Sequence, residues 1–289
     1  MITYPPFEIL ERPWGNVLEL HNPWDAEIEK LARENQIRGL GMGPQTRDLS
    51  FLSKFPDLES FSYLHDKGID TAPIHQLTNL RRLYFANVSG PKIDFKAFSK
   101  LEECSVEWTN AVSGVFDATT ICKLYIGNLP KAHFPRVANL VNLEDLTLLG
   151  GQPANLEPFR ALTKLRRLRI ARMKKLEDIS ALSTFTHLKQ LMVQSCSCFA
   201  SLDPLRSLVE LEELTLESVG PVESLAPLSC LAQLKILDFC GDPKTRVLDG
   251  DLMPVWSLPN LQYIRVTGKN GVNWSAKRDG ERPSQWSTV

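Results

Sequence analysis

The sequence lacks an excess of either charge, since 33 Lys and Arg stand against 34 Asp and Glu, for a formal net charge of −1. Proteins that bind nucleic acid or anionic membranes usually carry a clear excess of cations, so we expect neither partner. There is no run of eighteen apolar residues, so no transmembrane helix is predicted. The first fifteen residues, MITYPPFEILERPWG, lack the basic start and apolar core of a secretory signal.

Cysteine is sparse, with six residues in 289, and no paired spacing relates them. Cys196 and Cys198 stand too close together for an ordinary disulfide bridge. We therefore interpret the cysteines as reduced thiols and expect a cytoplasmic protein. The alternative is secretion by a route that needs no cleaved signal.

Signatures of catalysis and of metal binding are missing as well. None of the five histidines stands at metal-ligand spacing with a cysteine or another histidine, so we predict no metal and no cofactor. The segment GLGMG (39–43) has a superficial glycine pattern but no following helix, and we interpret it as a tight rung. No Gly-x-Ser-x-Gly or kinase motif occurs. The sequence therefore predicts a protein that is not an enzyme.

What the sequence does contain is a tandem repeat. The pattern apolar-x-x-apolar-x-x-apolar-x-apolar recurs in seven close copies, such as LTNLRRLYF and LVNLEDLTL, and in four weaker ones. The first residue of each closing apolar pair falls at positions 40, 61, 83, 104, 124, 146, 168, 191, 214, 237 and 264. The steps of 20 to 27 residues assign residues 36–267 to one repeat array.

Three connectors between these repeats carry a further signature. The segments LEDISAL (176–182), SLDPL (201–205) and SLAPL (224–228) resemble the D-I-S-P-L connector of the short leucine-rich repeats in internalins and the phosphatase-regulatory subclass. Those families usually place Asn after the strand, where its side chain bonds the turning backbone. Here that position holds residues such as Val88, Leu129 and Cys196. We therefore expect a less regular spine.

An apolar-x-apolar triplet is the pattern of a short strand whose outer residues face a core. One such strand cannot bury its apolar face, but a parallel stack of copies buries a continuous core. We therefore predict an α/β fold, a leucine-rich-repeat solenoid of about 11–12 rungs. A curved parallel sheet forms its concave face, and short 3₁₀ or extended returns form its convex face.

Both ends of such a stack must be covered. We expect residues 1–35 to form a capping strand-helix unit, in which VLEL (17–20) adds one rung and Asn22 and Pro23 begin a helix. Residues 268–289 are expected to be a C-terminal cap, with Trp274 and Trp286 folded over the last rung, or a flexible tail. Residues 244–251, within the longest repeat, are predicted to be a surface loop.

The outward strand positions decide what a solenoid recognises, because the apolar positions are committed to the core. Charges alternate in sign from rung to rung, from Arg81 and Arg82 to Glu102 and Glu103 and onward. One interpretation is a set of cross-strand ion pairs between neighbouring strands. The other is a banded surface that complements the charges of a partner.

Two clusters stand out on this face. The first joins Arg81 and Arg82 to three aromatic residues, and Tyr, Trp and Arg are enriched at binding hot spots. Its alternative is that Trp108 turns inward as part of an irregular rung. The second cluster is basic and includes Arg166 and Arg172, either paired with neighbouring rungs or holding an acidic segment or phosphate. The predicted partner-binding residues are Arg81, Arg82, Tyr84, Trp108, Tyr125, Arg167 and Arg169.

These patterns predict a non-catalytic, monomeric module that binds a partner protein through the concave face. One alternative is a bacterial immunity protein that neutralises a toxin. Another is a regulatory scaffold for a signalling enzyme such as a phosphatase. A cryptic enzyme would need a pocket with convergent titratable groups, and a nucleic-acid binder would show a strongly salt-dependent affinity.

Overall fold

The structure, a computed structural model, describes residues 6–64, 69–86, 88, 90–242, 244–267 and 273–277. The chain divides into two compact units, Met1–Gly127 and Asn128–Val289. Each unit is built from leucine-rich repeats whose strands lie in parallel and whose returns are short 3₁₀ turns. This is the predicted α/β solenoid fold.

The first unit contains one helix and seven strands among the residues described. Its strands β2 to β7 pair in chain order and in parallel. The elements are β1 (Phe7–Arg12), β2 (Gly15–Leu20), α1 (Ala26–Glu34), β3 (Gly39–Met42), β4 (Ser60–Leu64), β5 (Arg82–Ala86), β6 (Glu103–Glu107) and β7 (Lys123–Gly127). The 3₁₀ turns are Ser50–Lys54, Ala72–Gln76, Phe95–Ala97, Asn110–Val112 and Val115–Asp117.

The N-terminal end of this unit differs from the expectation in two ways. A first strand, β1, was not predicted, and it forms an antiparallel hairpin with β2 through the two-residue turn Pro13–Trp14. The helix α1 begins at Ala26 rather than at Pro23, so the predicted N-cap Asn22 was wrong. Asp25 caps the helix instead, because its extended backbone lets Oδ1 accept a hydrogen bond from the Ile28 amide at 2.8 Å.

The second unit contains a parallel array continued by an antiparallel strand. Strands β8, β9, β10, β11, β13 and β15 pair in that order in parallel, and β16 pairs antiparallel to β15. The elements are β8 (Asp145–Leu149), β9 (Arg167–Ala171), β10 (Gln190–Gln194), β11 (Glu213–Glu217), β12 (Pro221–Val222), β13 (Ile236–Cys240), β14 (Arg246–Val247), α2 (Met253–Trp256), β15 (Tyr263–Thr267) and β16 (Asn273–Lys277). The 3₁₀ turns are Lys131–Asn139, Glu157–Ala161, Ser180–Thr184, Asp203–Ser207 and Ala226–Cys230.

The segment predicted as a surface loop, residues 244–251, is partly ordered into a second sheet. Strand β14 pairs in parallel with β12, and Thr245 and Val247 are fully buried. The loop prediction was wrong because the alternation of Thr245 and Val247 is too short to read as a strand from the sequence. Of the predicted C-terminal segment, 268–272 and 278–289 lie outside the described residues.

The core is built from the closing apolar pair of each repeat. All eleven pairs, from Leu40 and Met42 to Ile264 and Val266, have a relative exposure of 4% or less. The residue between the two members of a pair points away from the core, as the period of a strand requires. We call the surface formed by these outward side chains in each unit the strand face.

The Asn ladder is replaced by two other features. Apolar residues that include Val88, Leu129 and Met173 fill the ladder position and are buried. Just before that position, a residue of positive φ turns the chain, and its amide donates a hydrogen bond to a backbone carbonyl of the next rung. The Ser195 amide, for example, donates to Glu217 O at 2.8 Å. In the second unit, the turn residues that make this bond are Asn128, Gly150, Arg172, Ser195 and Ser218.

Candidate functional site

The strand face of the first unit contains a cleft of about 500 Å³, which we call the strand-face cleft. It arises from the register of the parallel strands. Two columns of outward-facing residues run across the strands, and they are Val17, Gly39, Ser60 and Arg82 in one and Glu19, Gly41, Ser62 and Tyr84 in the other. In both columns, β3 and β4 contribute glycine and serine, whereas β2 and β5 contribute larger side chains. The cleft is lined by Arg12, Trp14, Val17, Glu19, Leu40, Ser60, Ser62, Arg82, Tyr84 and Glu103.

The glycines of β3 are required by this arrangement. A Cβ on Gly39 would lie 2.9 Å from Val17 Cγ2 and 3.0 Å from Trp14 Cη2, so the indole ring of Trp14 rests on the bare backbone. A Cβ on Gly41 would clash with the carboxylate of Glu19. The segment GLGMG therefore makes room for two side chains that reach across from the N-terminal hairpin, besides forming a tight rung.

Arg82 is the best-buried cation of the cleft, with 18% of its side chain exposed. Its Cζ lies 4.4 Å from the ring centroid of Trp14, within cation–π range. Its Nε lies 3.9 Å from Glu103 Oε1, at the limit of an ion pair. Its Nη1 is buried without a hydrogen-bond partner, and no other side-chain nitrogen or oxygen in the described ranges shares that condition. An unsatisfied buried donor of this kind costs free energy until an acceptor reaches it.

Glu103 organises the other wall of the cleft. Its Oε2 accepts a hydrogen bond from the Tyr84 hydroxyl at 3.3 Å, and its Oε1 accepts one from Lys123 Nζ at 2.7 Å. Burial, together with the charge of Glu103, raises the pKa of Tyr84 to about 12. Burial acts to raise the pKa of Glu103, but the bond from Lys123 and the charge of Arg82 outweigh it and hold that pKa below its usual value.

Glu19 has the opposite electrostatic setting. Burial raises the pKa of its carboxyl above the usual value, against the lowering effect of His21 and Arg12. The cleft therefore combines an under-satisfied guanidinium with a carboxyl whose pKa is raised by burial. Such a surface can accept both a hydrogen-bond acceptor and a donor from a partner.

The predicted site residues of the first unit separate into two groups. Arg82 and Tyr84 line the strand-face cleft. Arg81 instead pairs with Glu102 and lies 3.8 Å from Glu59, and the Tyr125 hydroxyl donates to Glu107 Oε1 at 3.0 Å. Trp108 is half-buried and stacks on Phe116 with ring centroids 6.1 Å apart. Trp108 and Tyr125 therefore do not belong to the cleft.

Sequence reasoning missed Trp14, Arg12 and the wall residue Glu103 as parts of one site. Trp14 lies in a turn outside the repeats, so the period could not place it. The available signal was the pair of small outward residues in each of two consecutive rungs, Gly39 and Gly41 followed by Ser60 and Ser62.

In the second unit, Arg167 and Arg169 lie beside a smaller strand-face pocket of about 190 Å³, along with Met192. Arg167 Nε donates to Asp145 Oδ2 at 2.8 Å, whereas Arg169 reaches only Gln194 Oε1 at 3.4 Å. The predicted cross-strand ion pairs are present on this face. They are Arg167–Asp145, Lys189–Glu212, Lys235–Glu212 and Arg265–Asp238.

Two further features are absent from the described ranges. No group of three or more His, Cys, Asp and Glu is placed to hold a metal ion. No helix there combines the length and the apolar character needed to cross a bilayer.

No protein-family model matches the chain, and no curated protein sequence matches it significantly. Among solved structures, it is similar to an internalin from Listeria monocytogenes, with a TM-score of 0.57 and 19% identity over 85% of each chain. It is also similar to a leucine-rich-repeat protein from Leptospira interrogans, with a TM-score of 0.65 and 18% identity. That match covers 84% of this chain and 63% of the other, less than two thirds of its length. The chain therefore has the leucine-rich-repeat fold, in a form that resembles the internalins.

Proposed function

We propose that the chain is a non-catalytic module that binds a partner protein through its strand face, with the cleft of the first unit as the anchor. The observation that carries this proposal is the buried, unsatisfied Nη1 of Arg82 in a cleft walled by Trp14 and Tyr84. Trp, Tyr and Arg dominate binding energy at protein interfaces. An acceptor on the partner that reaches Nη1 after a shift of the surrounding side chains would complete its hydrogen bonding, and this bond would stabilise the complex relative to the isolated module.

The lining of the cleft supports binding over catalysis. None of its ten residues is a histidine or a cysteine. Nucleophilic catalysis needs a nucleophile within hydrogen-bond reach of a base, and within the described part of the chain the hydroxyls of Ser60 and Ser62 form no hydrogen bond to a base. The polar groups present suit recognition of a partner's hydrogen-bonding groups.

The test is affinity purification of the tagged full chain, with bound proteins identified by mass spectrometry. The informative variant is Arg82→Met combined with Tyr84→Ala, which removes the guanidinium and one wall of the cleft. The matched control is Lys96→Met, a cation lost from a 3₁₀ turn of the same unit. Circular dichroism and a urea titration establish that each variant folds.

We expect one protein to be recovered with the wild type and with the control. The amount of that protein recovered with the double variant should be lower by about tenfold or more. A partner retained equally by the double variant would contradict the role of the cleft. Failure of the wild type to retain any protein would contradict the proposal as a whole. A toxin as the recovered protein would favour the immunity role, and a phosphatase would favour the regulatory scaffold.

We further propose that the protein works in a reducing compartment such as the cytoplasm. All six cysteines are free thiols. Burial raises the pKa of Cys104, and it raises that of Cys196 to about 11, so both thiols stay protonated at neutral pH. Thiol labelling of the unfolded protein without reductant should count six free thiols, and a lower count would oppose this placement.

A further inference from the structure

A stretch of the second unit is strongly basic, although the whole chain has a formal charge of −1. Residues 128–175 contain ten Lys and Arg but only three Asp and Glu. The rest of the chain therefore has a clear excess of acidic residues. The balance of charge over the whole chain conceals this local excess of cations. A surface with such an excess is a candidate site for a partner of the opposite charge.

Part of this stretch lines a second cavity of about 500 Å³, which we call the basic groove. It lies where the chain leaves strands β8 and β9, at their carboxyl ends. Lys131, Arg172 and Lys174 supply its charge, and its lining includes no carboxylate among the residues that the structure describes. The complete lining is Asn128, Leu129, Pro130, Lys131, Gly150, Gly151, Gln152, Arg172 and Lys174.

The floor of the basic groove is held by backbone hydrogen bonds. The amide of Gly150 donates to Ala171 O at 2.7 Å, and the amide of Arg172 donates to Gln194 O at 2.8 Å. Gly150 and Gly151 have φ of 77° and 96°, and a Cβ on Gly151 would lie 2.8 Å from Leu129 O. The cations are therefore displayed from closely packed turns that have little room to shift.

The charges of the basic groove differ from those on the strand face. On the strand face of this unit, Arg167 and Lys189 are each neutralised by a carboxylate on a neighbouring rung. Lys131, Arg172 and Lys174 form no ion pair within the part of the chain that the structure describes. Their solvent-exposed charges are available to an anionic ligand.

We infer that the basic groove binds a short acidic segment, rich in Asp and Glu, of a partner protein. This inference rests on the proposed function, because it names the chemistry of part of the partner. Lys131 lies in the turn that precedes β8, whereas Arg172 and Lys174 both lie in the turn that follows β9, so the cations are spread over more than one rung of roughly 4.8 Å spacing. That spread suits successive carboxylates along an extended segment better than one phosphate group, and the Arg172 guanidinium matches a carboxylate in geometry.

The other polyanions fit the groove less well. No aromatic side chain of the described residues lines it, so a single-stranded nucleic acid would find no platform there on which to stack its bases. The excess of acidic residues in the rest of the chain repels extended polyanions and anionic membranes. A short acidic segment contacts the groove and avoids much of that repulsion.

The test measures binding of a fluorescein-labelled octapeptide of Glu and Asp to the full chain by fluorescence anisotropy. The comparison probes are the matching Gln and Asn octapeptide, an eight-nucleotide oligo-dT and vesicles that contain phosphatidylserine. The groove variant is Lys131→Gln, Arg172→Gln and Lys174→Gln. The matched control is Arg160→Gln, Lys164→Gln and Arg206→Gln, which removes the same charge from residues outside the groove lining.

We expect the acidic octapeptide to bind the wild type and the control equally, and to bind the groove variant about tenfold or more weakly. Affinity should fall as salt is raised, and the amide octapeptide should not bind. Equal loss in the control would overturn the inference, since it would show attraction to net charge alone. Absence of binding to the wild type, or groove-dependent binding of only the oligonucleotide or the vesicles, would also overturn it. Because the probe is a defined peptide, this result is independent of whether the strand-face cleft anchors a partner.

Discussion

The guanidinium carbon of Arg82 lies 4.4 Å from the ring centroid of Trp14, although the two residues are 68 positions apart in the sequence. Trp14 lies in the turn of the N-terminal hairpin, and Arg82 begins the fourth strand of the parallel array. The strands in between contribute Gly39 and Ser60 at the matching register positions, which leaves space for the indole ring. The N-terminal hairpin therefore forms part of the candidate binding surface as well as covering the end of the repeats.

Replacing Trp14 with Ala should destabilise the protein by about 1–3 kcal/mol, because both the apolar burial of the ring and its cation–π contact are lost. Trp14→Phe keeps an aromatic face over Arg82 and should lose less. Urea denaturation of these variants, with Arg82→Met and the double variant, gives a coupling energy. We expect about 0.5–1 kcal/mol for Trp14 with Arg82, and a coupling near zero would show that the ring does not stabilise the guanidinium.

Glu19→Gln should change stability in a pH-dependent way. Since burial raises the pKa of Glu19, the fold favours its neutral form. That stabilisation is complete below the pKa of the unfolded carboxyl and is lost as the pH rises through the higher folded value. The urea midpoint of Glu19→Gln should therefore exceed that of the wild type at pH 7 and match it near pH 3. The same gain at both pH values would point to packing instead of charge burial.

Gly151→Ala should cost about 2 kcal/mol or more. Its φ of 96° disfavours any side chain, and the added Cβ would lie 2.8 Å from Leu129 O. Gly43→Ala is the matched control, because its nearest neighbour would be 3.7 Å away and its φ is ordinary. In thermal denaturation, Gly151→Ala should have a lower midpoint than the wild type, whereas the midpoint of Gly43→Ala should be nearly unchanged. Equal midpoints would mean that the turn tolerates a side chain.

Truncation of a core leucine should cost about 2–5 kcal/mol. Leu168 and Leu214 are at most 1% exposed, so Leu168→Ala and Leu214→Ala each leave a cavity between rungs. Val209 is 52% exposed, and Val209→Ala should change the free energy of unfolding by less than about 0.5 kcal/mol. A loss for Val209→Ala comparable with those of the leucines would contradict the assignment of the core.

The repeats were predictable because burial imposes a strict period on them. Every closing apolar pair from Leu40 to Val266 is buried, as the pattern required. The alternation of charge across rungs likewise predicted pairs such as Arg167 with Asp145, because parallel register places these side chains side by side. In this protein, sequence patterns that recur in every repeat correspond to contacts that recur between neighbouring rungs.

The parts that sequence could not predict are the irregular ones. The hairpin strand β1 has no repeat to align it, so the position of Trp14 over Arg82 depends on a turn outside the period. The helix begins at Ala26 and not at the predicted Pro23, because Asp25 and not Asn22 caps its first turn. Of the basic groove, the sequence indicated only Arg172 and the possible acidic ligand, because Lys131 and Lys174 lie in turns that the repeat period does not align.

The residues of positive φ that follow the strands of the second unit divide each repeat into two parts, which differ in the sequence changes that they tolerate. Five of these strand exits, among them those at Arg172 and Ser195, are each held by one residue of positive φ and one backbone hydrogen bond to the next rung. The segment beyond each exit is free to vary in length, and the longest spacing, 27 residues, holds the short strand β14 and the helix α2. Duplication or loss of whole repeats in the gene would thus preserve the alignment of recognition side chains, so new specificities can arise by copying units without redesign of the spine.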